Sequence, residues 1–230
     1  MHTQMILKLQ QFIKCEGFQI AKRNSIYLGL ALLFLLPGVV FAQEISVDRI
    51  KKDVTYLASD KLKGRGTSTK GEKKAAKYIA TEFEKSGLIP KGTEGYYQPF
   101  TFQHTVDPKD STKGKETRKG KNVVGFLDNG AEYTVVIGAH FDHLGLGHDH
   151  NSLDANPVGQ IHNGADDNAS GTAGVLELAR YYSSNNEKEK FNFLFICFSA
   201  EEVGLVGSKK FCENPTIDLT KVNYMINMDM

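Results

Sequence analysis

Four short segments of this 230-residue chain carry side chains that bind metal ions or move protons. His140 and Asp142 close a short apolar run, Tyr133 to Ala139. Asp166 and Asp167 stand side by side ahead of a helical pattern. Glu201 and Glu202 follow a second apolar run, Phe191 to Phe198. Asp229 lies near the end of a third run, Val222 to Met230. Imidazole and carboxylate donors without paired cysteines suit a hydrolytic zinc site, with manganese or cobalt as alternatives. A ligating imidazole usually has its second nitrogen held by a carboxylate or carbonyl. Asp142, two positions after His140, shares its side if the strand continues, and is the candidate for that role. Asp166, held just before a helix, could bridge two ions. Consecutive side chains diverge, so Glu201 and Glu202 can take separate roles, one binding metal and one acting as general base.

Each motif alone has a plainer reading. A histidine at a strand end is often a surface residue, Asp166-Asp167-Asn168 could cap a helix, and Glu201-Glu202 could be a solvated first turn. Four such groups at strand ends are harder to explain as caps. His143, His148, His150 and His162 lie in the loop between candidate ligands, where rim or substrate contacts, or no role, are expected.

The elements that position these groups alternate. Val47, Ile50, Val54, Leu57 and Ala58 recur at helical spacing behind the N-cap candidate Ser46. Leu62 to Thr67 is a glycine-rich turn. A glycine pair round Arg65 could hold an anion, and a simple loop is the plainer reading. Gly71 to Ser86 is a helix with Ala75, Ala76, Ile79, Ala80 and Phe83 on one face, closed by Gly87 and Pro90. Tyr96 to Phe102 alternates, and Pro99 assigns it to a sheet edge. Asp107 to Lys121 reads as a solvated loop. Asn122 to Leu127 and Tyr133 to Ala139 are strands with the hairpin signal Asp128-Asn129-Gly130 between them. Ser170 to Ser184 and Leu205 to Asn214 are helical. Phe191 to Phe198, apolar throughout, is a strand buried on both faces. The expected fold is α/β, with a mixed, mostly parallel sheet flanked by helices on both faces. In such sheets ligands sit beyond the strand ends, where the acidic and histidine residues collect.

Residues 1–42 stand apart. Lys22 and Arg23 precede the apolar stretch Ile26 to Leu36, Pro37-Gly38 breaks it, and Val40-Phe41-Ala42 fits a signal-peptidase site. Cleavage after Ala42, a globular domain over 43–230 and a secreted or periplasmic product are expected. The chain carries +1 overall, and residues 1–42 hold four basic residues against one acidic, which leaves −2 for the remainder. That balance offers nothing for nucleic acid, and no stable membrane contact is expected after cleavage. Of the three cysteines, Cys15 leaves with the signal; export permits a Cys197–Cys212 disulfide, but Cys197 lies inside an apolar strand and reads as a buried thiol.

Gly138-Ala139-His140-Phe141-Asp142-His143, Asn163 to Gly171, Ser199 to Ser208 and Asn227-Met228-Asp229-Met230 resemble, in order, the motifs of secreted zinc aminopeptidases of metallopeptidase family twenty-eight. The resemblance runs from about Ile45 onward. It implies two zinc ions and peptide substrates. His140 and Asp229 match ligands of one zinc, Asp166 matches the bridging carboxylate with a cis peptide to Asp167, Glu202 matches a ligand of the other zinc, Glu201 the general base, and Asp142 the carboxylate that orients the histidine. The family's fifth ligand, a histidine on a later segment, has no match before Met230, so the expectation is a fragment of a longer product. Carboxypeptidase action, one-zinc glutaminyl cyclisation on the same fold, and a non-catalytic exported binding protein are the rival readings.

Overall fold

The computed structural model describes residues 44–107 and 110–230. The expected signal segment, residues 1–42, lies outside the described residues. Helix α1, Val47–Leu57, starts at Ser46, whose hydroxyl accepts the Arg49 N–H at 3.3 Å. A 3₁₀ turn, Asp60–Arg65, leads to helix α2, Lys70–Lys85. Thr69 caps α2 by accepting from Glu72 N, and the Glu72 carboxylate reaches back to the Ser68 N–H at 2.7 Å. The apolar stripe of α2 is buried and its lysines face outward, as the periodicity predicts. Each fully buried Ile or Phe there stabilises the fold by about 1.5–3 kcal/mol.

The strands are β1 (Ile89–Pro90), β2 (Tyr97–Thr105), β3 (Lys115–Leu127), β4 (Thr134–His140), β5 (Asn192–Phe198) and β6 (Val222–Asn227). Helices α3 (Gly171–Ser184) and α4 (Val206–Glu213) lie either side of β5 in the chain. The sheet runs β1-β3-β5-β4-β6, with β2 also paired to β3. β4 is parallel to β5 and β6, whereas the pairs made by β3 are antiparallel. The mixed sheet flanked by helices is therefore present.

Two-residue alternation sorts the strands onto two cores. Val123, Val135, Ile137, Phe193, Phe195 and Cys197 pack with the apolar faces of α1, α2 and α3. Val124, Val136, Leu194, Ile196 and Phe198 pack on the other face with Phe211 of α4. β5, buried at every position, serves both cores.

Two local expectations are corrected. Asp128-Asn129-Gly130 does form a tight turn, with Asp128 Oδ1 accepting from Gly130 N at 2.8 Å. It is not a hairpin: β5 lies between β3 and β4. The turn residues set the bend, but burial of the apolar β5 sets the strand order. Asn192, at the start of β5, pins the connection by accepting from the N–H groups of Asn129 and Ala131. The second correction concerns Lys115 to Lys121, which is strand rather than loop. It pairs with β2 and presents mostly exposed side chains, and its half-buried Arg118 is paired with Asp149 at 2.6 Å.

Cys197 is buried and Cys212 exposed, and both are free thiols. Burial pushes the Cys197 thiol far above its ordinary pKa. Among the described residues no helix is long and apolar enough to cross a membrane.

Candidate metal centre

The strand ends deliver the acidic groups to one place. His140 is the last residue of β4, and its carbonyl accepts the Thr172 hydroxyl of α3 at 2.8 Å. The chain then turns through Phe141 to His143. Glu201 and Glu202 follow β5, where Ala200 takes a left-handed φ of 60° and turns the backbone away from the strand. Asp229 follows β6. The turn Ala165–Ser170 precedes α3 and departs from helical geometry at Asp167 and Asn168.

Two groups of potential ligands result. His140, Asp167 and Asp229 place ligand atoms within 4.8 Å of one another, and so do His143, Asp167 and Glu202. His140 Nε2 lies 3.0 Å from Asp167 Oδ1 and 3.2 Å from Asp229 Oδ1. His143 Nδ1 lies 2.6 Å from Glu202 Oε1 and 3.8 Å from the other Asp167 oxygen. Asp167 thus presents one oxygen to each histidine. Each group offers one imidazole nitrogen and two carboxylates, a donor set that suits a divalent cation of the zinc, manganese or cobalt kind.

Asp166 does not join either group. It is exposed, and its carbonyl accepts the Ser170 hydroxyl at 2.6 Å. The inward carboxylate is Asp167, and the cis peptide joins Asp167 to Asn168 rather than Asp166 to Asp167. Asn168 supports this arrangement: buried, it donates to Met228 O at 2.8 Å and accepts from Gly171 N at 3.0 Å. It thereby ties the Asp167 turn to the residue before Asp229. The reading of a simple helix-start offset misses Asp167 because the turn is not helical where it matters.

His143 is the other residue that sequence reasoning left aside. Its only signal is proximity, three positions after His140. The structure brings it to Glu202 because its N–H donates to Arg65 O at 3.3 Å, which holds the loop against the turn before α2.

Asp142 is fully buried and touches His140 differently from expectation. Its carbonyl oxygen lies 3.2 Å from His140 Nδ1, while its carboxylate stands at 3.8 Å. A carbonyl can only accept, so it selects the tautomer that protonates Nδ1 and leaves the Nε2 lone pair toward Asp167 and Asp229. The Asp142 carboxylate instead accepts from Thr67 Oγ1 at 2.8 Å and from Glu201 N at 3.0 Å. Glu201 Oε2 lies 4.0 Å from His140 Nε2.

The electrostatics follow from this crowding. Burial lowers the His140 pKa, but Asp142, Glu201 and Asp229 outweigh it and push it up to about 9. Ligation requires the neutral imidazole, so a cation binding there competes with a proton. Burial raises Asp167, with Glu202 adding to the shift. Burial also raises Glu201, with His140 opposing and Glu202 adding. Beside the centre lies a cavity of about 190 Å³, walled by Phe198, Leu205 and Met225 and bordered by His140, Glu201 and Asp229.

Known proteins resemble this chain in sequence and in fold. Residues 122–230 match peptidase family M28. The alkaline phosphatase isozyme conversion protein of Escherichia coli is 27% identical over 92% of this chain and 59% of its own length. A probable leucine aminopeptidase of Trichophyton verrucosum is 31% identical over 61% of this chain and 38% of its own. The crystal structure of a leucine aminopeptidase precursor from Bacteroides thetaiotaomicron superposes with a TM-score of 0.62 at 20% identity, covering 84% of this chain and 64% of that one, and shares the fold. The chain therefore spans less than two thirds of each of these relatives. All the ligand-bearing strand ends fall within the segment, residues 122–230, that matches peptidase family M28.

Proposed function

We propose that the protein is a metal-dependent aminopeptidase that hydrolyses the N-terminal bond of peptides. The observation that carries this reading is the sharing of Asp167 between two ligand groups, with Glu201 beside them. His140, Asp167 and Asp229 would hold one divalent cation, and His143, Asp167 and Glu202 a second. Zinc fits both sets. When bound, the cations supply Lewis-acid polarisation of the scissile carbonyl and make water acidic enough to attack it.

The remaining work belongs to the chain. Glu201 accepts the proton of the attacking water and returns it to the departing amine. Asp142 holds the Glu201 backbone through Oδ1 and fixes the His140 tautomer through its carbonyl. The cavity between Phe198, Leu205 and Met225 accepts an apolar side chain of the substrate. Export with removal of residues 1–42 belongs to the same reading, and Edman sequencing of the product from a secreting host tests it.

The experiment for the activity compares leucine p-nitroanilide with its N-acetylated form, alongside metal analysis. Hydrolysis of the free-amine substrate alone, abolished by a chelator and restored by zinc, is the expected result. A metal-loaded protein that cleaves neither, or cleaves both equally, overturns the aminopeptidase reading.

A further inference from the structure

The turn before α2 lies outside the matched segment, yet it reaches the loops that carry the ligands. Arg65 is fully buried. Its Nε donates to Phe141 O at 2.8 Å, its Nη1 to Leu57 O at 2.5 Å and Asn163 O at 2.7 Å, and its Nη2 to Gly164 O at 2.8 Å. Phe141 precedes Asp142 and His143, and Gly164 opens the turn that carries Asp167. Its backbone adds a further contact, as Arg65 O accepts from His143 N. Two residues on, Thr67 donates to Asp142.

The packing around the turn is close. Gly64, with a φ of +68°, would bring a Cβ to 2.3 Å from His162 O and 2.5 Å from Gly145 O. Lys63 and Arg65 also have positive φ. Non-glycine residues hold that conformation only when their surroundings impose it. The anion-binding and simple-loop readings of this turn are both replaced: the guanidinium is spent on carbonyl oxygens.

Resting on the metal-centre reading above, we propose that Arg65 and Thr67 are positioning residues for that centre. Arg65 spans the His143 loop and the Asp167 turn and sets the distance between them, while Thr67 orients Asp142. A planar, five-donor fork holds four carbonyls from three segments at once, whereas a lysine ammonium has three donors at a single point. Burial lowers the Arg65 pKa to about 10, opposed by Asp142, Asp167 and Glu202, so the group stays cationic at neutral pH beneath an acidic cluster. His140 is held by the sheet, whereas His143 is held by this turn. The His143–Asp167–Glu202 group therefore depends on Arg65 more than the His140 group does.

The test titrates the chelator-stripped full chain with Co²⁺, followed by visible absorption, in wild type, Arg65→Lys, Thr67→Val and Glu177→Gln. Glu177 pairs with Arg49 of α1 and with Arg180 of its own helix, and its variant controls for lost stability. In Arg65→Lys the equivalent assigned to the His143 group is expected to lose about tenfold to a hundredfold in affinity, with the other little changed. Thr67→Val, which acts through Asp142 and so on the His140 group, is expected to weaken the other equivalent by a smaller factor, and Glu177→Gln to leave both alone. Wild-type affinities in folded Arg65→Lys, or an equal loss in the control, overturn the proposal. If Arg65→Lys does not fold, unchanged affinities in Thr67→Val overturn it.

Wild type that takes up no Co²⁺ defeats the metal reading instead. Amide exchange in Arg65→Lys then decides the positioning role. Protection lost selectively in residues 141–147 and 163–168 supports it, and unchanged or uniformly lowered protection overturns it.

Discussion

The backbone N–H of Glu201 donates to Asp142 Oδ1 at 3.0 Å. One buried carboxylate therefore joins the end of β4 to the turn after β5, and its own carbonyl oxygen faces His140. The side chain of Glu201 is left toward the centre, with Oε2 4.0 Å from His140 Nε2.

Glu201→Gln should then keep the fold and its metal while losing turnover. The expected fall in kcat is ~10²–10⁴-fold, the range for loss of a general base. Metal analysis and steady-state kinetics on the same sample check this. Undiminished turnover would remove Glu201 from the proposed role.

The neighbouring aspartates should behave unequally. Asp167→Asn weakens both ligand groups, because Asp167 faces both histidines. Asp166→Asn, at an exposed side chain, should bind metal as wild type does. Calorimetric zinc titration of the two variants separates them, and the reverse pattern would return the bridging position to Asp166.

Glu72 makes stability depend on pH. Burial pushes its carboxyl up to about 7 from an ordinary 4.5, against the opposing bonds from Ser199 and Ser68. The folded state holds this proton more tightly than the unfolded chain does. Its stabilising contribution is therefore complete below the unfolded pKa and is lost as pH rises toward 7. Relative to Glu72→Gln, wild type should lose ~3 kcal/mol across that window and change little above it. Urea denaturation of both proteins at pH 4.5, 6 and 8 measures the difference. A constant difference would show that the carboxyl titrates normally.

A charged network braces the helical layer. Arg180 of α3 pairs with Asp53 of α1 at 2.6 Å and Glu82 of α2 at 2.8 Å. Asp53 also accepts from the Tyr78 hydroxyl, and both it and Glu82 are buried. Arg180→Ala leaves buried Asp53 with the Tyr78 hydroxyl but no cation, and Glu82 with Lys85 alone, and should cost about 3–5 kcal/mol. Specific activity per folded molecule should stay unchanged, since the network contacts none of the proposed ligands. Equilibrium unfolding, with activity normalised to folded fraction, tests both halves of this statement.

What the sequence discloses depends on the range of the forces involved. β5 is readable from its apolar run, and α2 from Ala75, Ile79 and Phe83, because burial imprints a local period. The strand ends carrying His140, Glu201 and Asp229 follow from those elements. The choice of Asp167 over Asp166 depends on a non-helical turn that no periodicity encodes. The separation of β3 from β4 depends on a third strand more than fifty residues later in the chain. The charged half of β3 looks like loop because it is paired without being buried, and composition registers burial rather than pairing. Arg65 is misread for a related reason: its partners are backbone carbonyls, which leave no residue signature.

That last feature bears on how the chain can vary over time. Arg65 addresses the carbonyl oxygens of Leu57, Phe141, Asn163 and Gly164 and none of their side chains. Leu57, Phe141 and Asn163 can exchange residues, within their own packing limits, without breaking the brace, whereas Gly164, at a φ of +57° with a Cβ site 2.4 Å from Asp167 O, cannot. A change at Arg65 breaks all four bonds at once. Genetic drift and laboratory selection should therefore meet a lopsided tolerance here, with Arg65 held more tightly than Leu57, Phe141 and Asn163.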